Sequence, residues 1–172
     1  AGAVVVSATN EDRGIRRIAL GADGRHAEVL CQKVWDIRQR PFIPVDEDGR
    51  GSVAPEMLWA HMDGRKVFKN AVMMMIGSLM QVCGDEQVEF DDIDLFFFHQ
   101  ANMRINQYVA EQLGLPPEKV PHNIQRNGNT TAATIPTLLA ECVESGTLKP
   151  GMKIALVAFG SGFTWGAALI DW

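Results

Sequence analysis

The spacing of hydrophobic and polar positions changes along the chain, and each change marks an element. Residues 3–7 and 15–20 are short runs rich in Val and Ile, separated by the turn cluster Asn10-Glu11-Asp12-Arg13-Gly14. Gly21-Ala22-Asp23-Gly24 ends the second run, residues 27–31 form a third apolar patch with strand character, and residues 57–62 read as a further strand. The period then lengthens. Val67, Phe68, Ala71, Val72, Met75, Leu79 and Val82 recur at three- and four-residue intervals. That pattern predicts a helix over 64–82, capped by Asp63 and terminated by Gly84.

A clear α/β alternation follows. Residues 95–99 predict a buried strand, and 102–113 a helix closed by Gly114 and Pro116-Pro117. Next come a short strand over 120–124 and a helix over 130–144 closed by Gly146. Pro136 predicts a kink or a late start in that last helix. Residues 153–159 are continuously apolar, the pattern of a strand in a sheet covered on both faces. Gly160-Ser161-Gly162 turns the chain into a final strand over 164–170. The expected fold class is α/β, a layered domain with a mixed sheet. Residues 32–54, with Pro41, Pro44, Gly49 and Gly51, read as an irregular surface excursion.

Composition narrows the class. The 172 residues are 47% hydrophobic and 22% charged with a net charge of −5, which fits one globular domain and excludes a disordered chain. No uninterrupted apolar run is longer than 154–159, far short of the ~20 residues of a bilayer span. Cys31, Cys83 and Cys142 are odd in number, with no Cys-x-x-Cys and no His at ligand spacing. This argues against a disulfide scaffold or a zinc site, and for a reducing, cytoplasmic setting. The chain opens Ala1-Gly2-Ala3-Val4-Val5-Val6, without Met or a basic flank and already inside an apolar run. We expect either a processed fragment or part of a larger chain.

Three polar or glycine-rich segments lie beyond strand ends, where open α/β sheets gather ligands. They are His99-Gln100-Ala101-Asn102, Asn127-Gly128-Asn129-Thr130 and Gly160-Ser161-Gly162. Taken singly, each has a plain reading: His99 as a hydrogen-bonded strand-end residue, Asn102 and Asn129 or Thr130 as helix caps, and the glycines as a hairpin. The glycine segment is no dinucleotide fingerprint, because a strand follows it and Trp165 stands where the third glycine belongs. Met73-Met74-Met75 reads as helix core, and Asp91-Asp92-Ile93-Asp94 as a solvated turn. No metal, nucleotide or nucleic-acid motif competes.

The combination is more specific. His99-Gln100-Ala101-Asn102-Met103-Arg104-Ile105, Gly128-Asn129-Thr130-Thr131-Ala132-Ala133-Thr134-Ile135-Pro136 and Phe159-Gly160-Ser161-Gly162-Phe163-Thr164-Trp165-Gly166 resemble the β-ketoacyl-acyl-carrier-protein synthase III family of the thiolase superfamily. The motifs stand in that family's order and spacing, and the opening residues resemble its Asp-Gly-Ala-Gly-Ala-Val segment entered partway. The resemblance covers the whole chain but only the C-terminal half of the family's protein. It implies a five-layer αβαβα sandwich. Residues 1–172 would supply mainly its C-terminal half, and residues 1–8 the last strand of the N-terminal half.

It also implies an activity, the decarboxylating Claisen condensation of an acyl-CoA primer with malonyl-acyl carrier protein in fatty acid biosynthesis. His99 matches the family's decarboxylation histidine and Asn129 its partner, while Asn102 orders the segment behind His99. Ser161 aligns with the residue whose backbone N–H completes the oxyanion hole. The family often has glycine there, and serine keeps the N–H while adding a side chain. Arg104 and Lys69 match basic positions that dock the carrier protein or CoA phosphates. The bland alternative for them is a solvated helix face. Phe68, Phe159 and Phe163 would line the cleft, or serve as ordinary core aromatics.

None of the three cysteines sits in the family's nucleophile setting, so the nucleophile is expected in the N-terminal half. The implied partners are that half, acyl carrier protein and acyl-CoA, within a homodimer that needs no nucleic acid, membrane, metal or bound cofactor, since CoA and carrier-protein thioesters are substrates. Two other readings stay open: a superfamily acyltransferase of secondary metabolism, and a non-catalytic partner subunit.

Overall fold

The computed structural model describes residues 1–33, 45–51 and 53–172. Among these, four strands form one mixed sheet: β1 (Gly14–Ala22), β4 (Leu95–Phe98), β5 (Lys153–Gly160) and β6 (Thr164–Asp171). Their order is β1-β6-β5-β4, with β4 parallel to β5 and the other pairs antiparallel. Two short strands, β2 (Leu30–Gln32) and β3 (Ala60–Met62), pair as a separate antiparallel ribbon. The helices are α1 (Gly64–Glu86), α2 (Met103–Gln112), the single turn α3 (Ile124–Asn127) and α4 (Thr134–Glu144).

Strand alternation divides the core in two. Phe96, Phe98, Ala155, Val157, Phe159, Ala167 and Leu169 point to one face, which α1 covers with Val67, Ala71, Met75, Leu79 and Val82 and α2 with Ile105 and Val109. Leu95, Phe97 and Ile154 point the other way, onto Leu138, Leu139 and Cys142 of α4. The sheet is therefore covered by helices on both faces. Asp171 on β6 takes Arg16 of β1 and Lys153 of β5, tying three strands at the end remote from the glycine hairpin.

Several expectations need correction. Residues 3–7 join no ladder among the described residues, and Val4, Val5 and Val6 are 58%, 94% and 75% exposed. Strand propensity alone cannot supply the neighbouring N–H and C=O groups a strand requires. The patch at 27–31 contributes only the three-residue β2, and residues 57–62 split into a 3-10 turn and β3. α1 runs on through Gly84 to Glu86. Its cap is Gln87 at φ 54°, in the left-handed region, and Val88 N–H then reaches Cys83 O at 2.9 Å.

The expected strand over 120–124 does not form. Pro121 has no N–H to give a ladder, Asn123 N–H turns to Gln100 Oε1, and Asn123 C=O accepts from Arg126 and Asn127 to start α3. Pro136 sits in the first turn of α4, so of the two outcomes expected the late start is observed, after a 3-10 turn at Thr131–Ala133. β5 is not uniformly buried. Leu156 and Ala158, on the α4 face, are only partly buried, although Leu156 packs against the α4 cluster. By length and composition α1 could cross a membrane, but its apolar side is packed on the sheet, so it serves as a core helix. Of the 32–54 excursion, residues 34–44 and 52 lie outside the described residues, and Val45 and Gly51 form an antiparallel bridge.

Candidate active site

The three chain segments singled out above meet at one end of the sheet. β4 delivers His99, the loop between α3 and α4 delivers Asn129, and the β5–β6 hairpin delivers Ser161. All three line one cleft of about 960 Å³, together with Asn102 and Asn106. Its walls are largely apolar, with Leu30 and Met62 from the ribbon and Phe68 and Met75 from α1. Such a cleft, apolar with a few convergent polar groups, is the ordinary form of a small-molecule site.

His99 is fixed from several directions. Its N–H continues the β4–β5 ladder to Val157 O at 2.9 Å, and its C=O accepts from Ala101 N–H and from Asn106 Nδ2. Its ring Nδ1 lies 2.6 Å from the Thr134 hydroxyl. A neutral imidazole has one donor and one acceptor nitrogen. With Thr134 donating to Nδ1, the proton sits on Nε2 and that nitrogen becomes the donor. Burial lowers the pKa of the ring from its ordinary 6.5, which keeps it neutral.

Asn129 is prepared in the same sense. Its Oδ1 accepts from Thr131 N–H at 2.8 Å, which leaves the Nδ2 amide as the end free to donate. Thr131 holds that N–H in place at φ 56°, costly for a β-branched residue and of a kind that concentrates at functional sites. Gly128, at φ +64°, lets the chain turn out of α3 immediately before it.

Asn102 caps α2, its side chain accepting from Arg104 N–H at 2.9 Å. Arg104 itself is exposed on α2 and Lys69 on α1, and neither lines the cleft. Nor does Phe163, which is buried beneath the hairpin with its ring tilted against that of Phe159, whereas Phe68 and Phe159 do line it. None of the three thiols lines the cleft. Burial raises the thiol of Cys83 to about 11 and raises that of Cys142, which disfavours the reactive thiolate.

Sequence reasoning passed over three residues. Thr134 orients the His99 ring, and buried Asn106 holds the His99 carbonyl. Gln100, fully buried, donates to Phe98 O at 2.7 Å and braces the same turn. The signal for the last two is a buried amide beside an apolar strand or on an apolar helix face, which must find a partner.

Comparison with known proteins agrees with this geometry. Residues 83–172 match the family described as 3-oxoacyl-[acyl-carrier-protein (ACP)] synthase III C terminal. A β-ketoacyl-[acyl-carrier-protein] synthase III of Clostridium perfringens is 41% identical over 170 residues, 99% of this chain and 50% of its own length. That of Clostridium acetobutylicum is 40% identical over all 172 residues, again 50% of its own length. The crystal structure of the Thermus thermophilus synthase III superposes with a TM-score of 0.81 at 38% identity, over 97% of this chain and 49% of that one. The chain thus spans about half the length of the relatives it matches, and its fold is thiolase-like. On these motifs, this fold and this match, the chain belongs to the 3-oxoacyl-[acyl-carrier-protein] synthase III family, as its C-terminal region.

Proposed function

We propose that the chain is the decarboxylating half of a 3-oxoacyl-[acyl-carrier-protein] synthase III. It works with an N-terminal half that carries the nucleophilic cysteine and takes the acyl group from acyl-CoA. The observation that carries this reading is the meeting of His99 and Asn129 on one cleft, with Thr134 Oγ1 2.6 Å from His99 Nδ1 and Thr131 N–H on Asn129 Oδ1, which suits His99 Nε2–H and Asn129 Nδ2–H as a pair of neutral donors. Loss of CO2 from a malonyl thioester breaks a carbon–carbon bond and leaves its electron pair as an enolate on the thioester oxygen. Two N–H donors hold that charge without giving up a proton. The carbanion carbon then attacks the acyl-cysteine carbonyl, whose oxyanion is held at Ser161 N–H, and the cysteine thiolate leaves. CoA and carrier-protein thioesters are substrates, and no bound cofactor is needed.

The exposed apolar patch of β1, where Leu20 is 83% exposed, fits a surface that the N-terminal half covers. Three unpaired cysteines fit a cytoplasmic setting, and the resemblance implies a homodimer of the two-half enzyme. Reuniting this chain with its N-terminal half and supplying malonyl-acyl carrier protein should release CO2. If none is released while both halves are folded, the reading fails.

Two further outcomes follow. The working form of His99 is neutral and burial favours that form, so the decarboxylation rate should hold through neutral pH and fall only on acidification below 6.5. Stability has the same sign: the unfolded ring binds a proton first, so folding weakens as pH drops through that window. A rate that already falls between pH 8 and 7 would contradict this.

Arg65 and Lys69 on α1 and Arg104 on α2 are exposed and make no ion pair among the described residues, cations suited to an acidic carrier protein. Arg104→Glu should weaken carrier-protein binding by roughly three- to tenfold at low ionic strength, a difference that shrinks as salt is added. Equal affinity of the variant and parent across a salt series would remove the docking role.

A further inference from the structure

The turn after β1 is built onto the back of the glycine hairpin. Asp23 and Phe163 exchange both backbone hydrogen bonds, N–H to O at 2.8 Å and 2.9 Å, extending the β1–β6 ladder one pair past Ala22 and Thr164. The Asp23 side chain caps the short 3-10 turn Gly24–His26 by accepting from Arg25 N–H at 3.0 Å. It also takes the Arg25 guanidinium through both carboxylate oxygens, at 2.9 Å and 2.7 Å. That turn lays the His26 ring on Phe163, centroids 5.0 Å apart and nearly parallel at 22°. Phe163 in turn packs on Phe159 at 4.8 Å.

Neither His26 nor Phe163 lines the cleft, but Phe159, Gly160, Ser161 and Thr164 do. The hairpin needs such support. Gly160-Ser161-Gly162 has little side-chain mass of its own to pack, and Gly162 stands at φ +137°, open only to glycine. An oxyanion donor acts only if it is held in position before the charge forms.

We infer that His26, set by the Asp23–Arg25 turn, is a positioning residue that clamps Phe163 and so holds the Ser161 N–H in place for acyl transfer. It serves one chemical step and not the other. The oxyanion of acyl transfer forms at the hairpin, whereas the enolate of decarboxylation forms at His99 and Asn129, which hang on β4 and the α3–α4 loop. The inference rests on the function proposed above for its catalytic consequence, but its structural part can be read without activity.

The test uses the two-half enzyme with His26→Ala, His26→Phe and Asp23→Ala. Hydrogen exchange at the Asp23 and Phe163 amides reads the clamp directly. Exchange there should quicken by about tenfold or more in His26→Ala and Asp23→Ala and return to the parent rate in His26→Phe, which keeps a stacked ring. Acylation of the cysteine, followed by intact mass, should slow by about tenfold in the two alanine variants, less than loss of a whole oxyanion donor. Release of CO2 from malonyl thioester should stay within about twofold of the parent.

Parent-like exchange and acylation in His26→Ala would overturn the inference. So would an equal fall in acylation and decarboxylation, or a His26→Phe variant no better than His26→Ala, since either marks a merely structural residue. If exchange responds as expected but the parent enzyme itself neither acylates nor decarboxylates, the clamp stands and the proposed function falls.

Discussion

Replacing Asn129 by alanine should slow malonyl-thioester decarboxylation by about 100- to 1000-fold, the usual effect of removing one donor from a developing oxyanion. The size follows from how fully the side chain is committed. Its Oδ1 is occupied by Thr131 N–H, so Nδ2 is the end left for substrate, and Thr131 holds an unfavourable left-handed conformation to keep it so. Thermal stability should change little, because Asn129 is exposed and caps no helix. The measurement is CO2 release by the two-half enzyme, with unfolding followed in parallel. A variant within about tenfold of the parent would mean that His99 alone carries the enolate.

The largest effect on stability should come from Phe96→Ala, at about 3–5 kcal/mol. Phe96 is fully buried on the α1 face of β4 and packs edge-on against Phe90 and Phe98, at 6.1 Å and 6.5 Å between ring centres. The cavity left behind could not collapse easily. β4 is pinned to β5 along its length and at both ends: Asp94 exchanges hydrogen bonds with Lys153, and His99 N–H bonds Val157 O. Urea unfolding of parent and variant measures the loss. A change below about 1 kcal/mol would show that the core repacks around the gap and that β4 is less rigid than its pairing implies.

The helices were legible where the controlling interaction is local. Asp63 and Asn102 cap α1 and α2 three and two residues ahead, and the apolar spacing of α1 matches the face it buries. The errors share one cause, which is partnership with something distant. Val120-Pro121 has strand composition, yet Asn123 N–H finds Gln100 rather than a neighbouring strand. Gly84 is a good helix terminator in isolation, but the helix runs past it to Glu86 and closes on Gln87, which sets Val88 against the core.

The candidate site divides in the same way. The sequence by itself determined which side chains can do the chemistry: a histidine, an asparagine and a glycine hairpin, each just beyond a strand or turn and in an order that resembles one family. Residue type and spacing carry that information, because short motifs fix local backbone form. Only the tertiary structure decided how those groups are poised. Thr134 reaches the His99 ring from 35 residues away and fixes its orientation at 2.6 Å, and burial favours the neutral ring. Asp23 and His26 reach Phe163 from the opposite end of the chain. Tautomer, protonation and the set of a loop depend on what packs against a group from distant segments, and no local pattern encodes that.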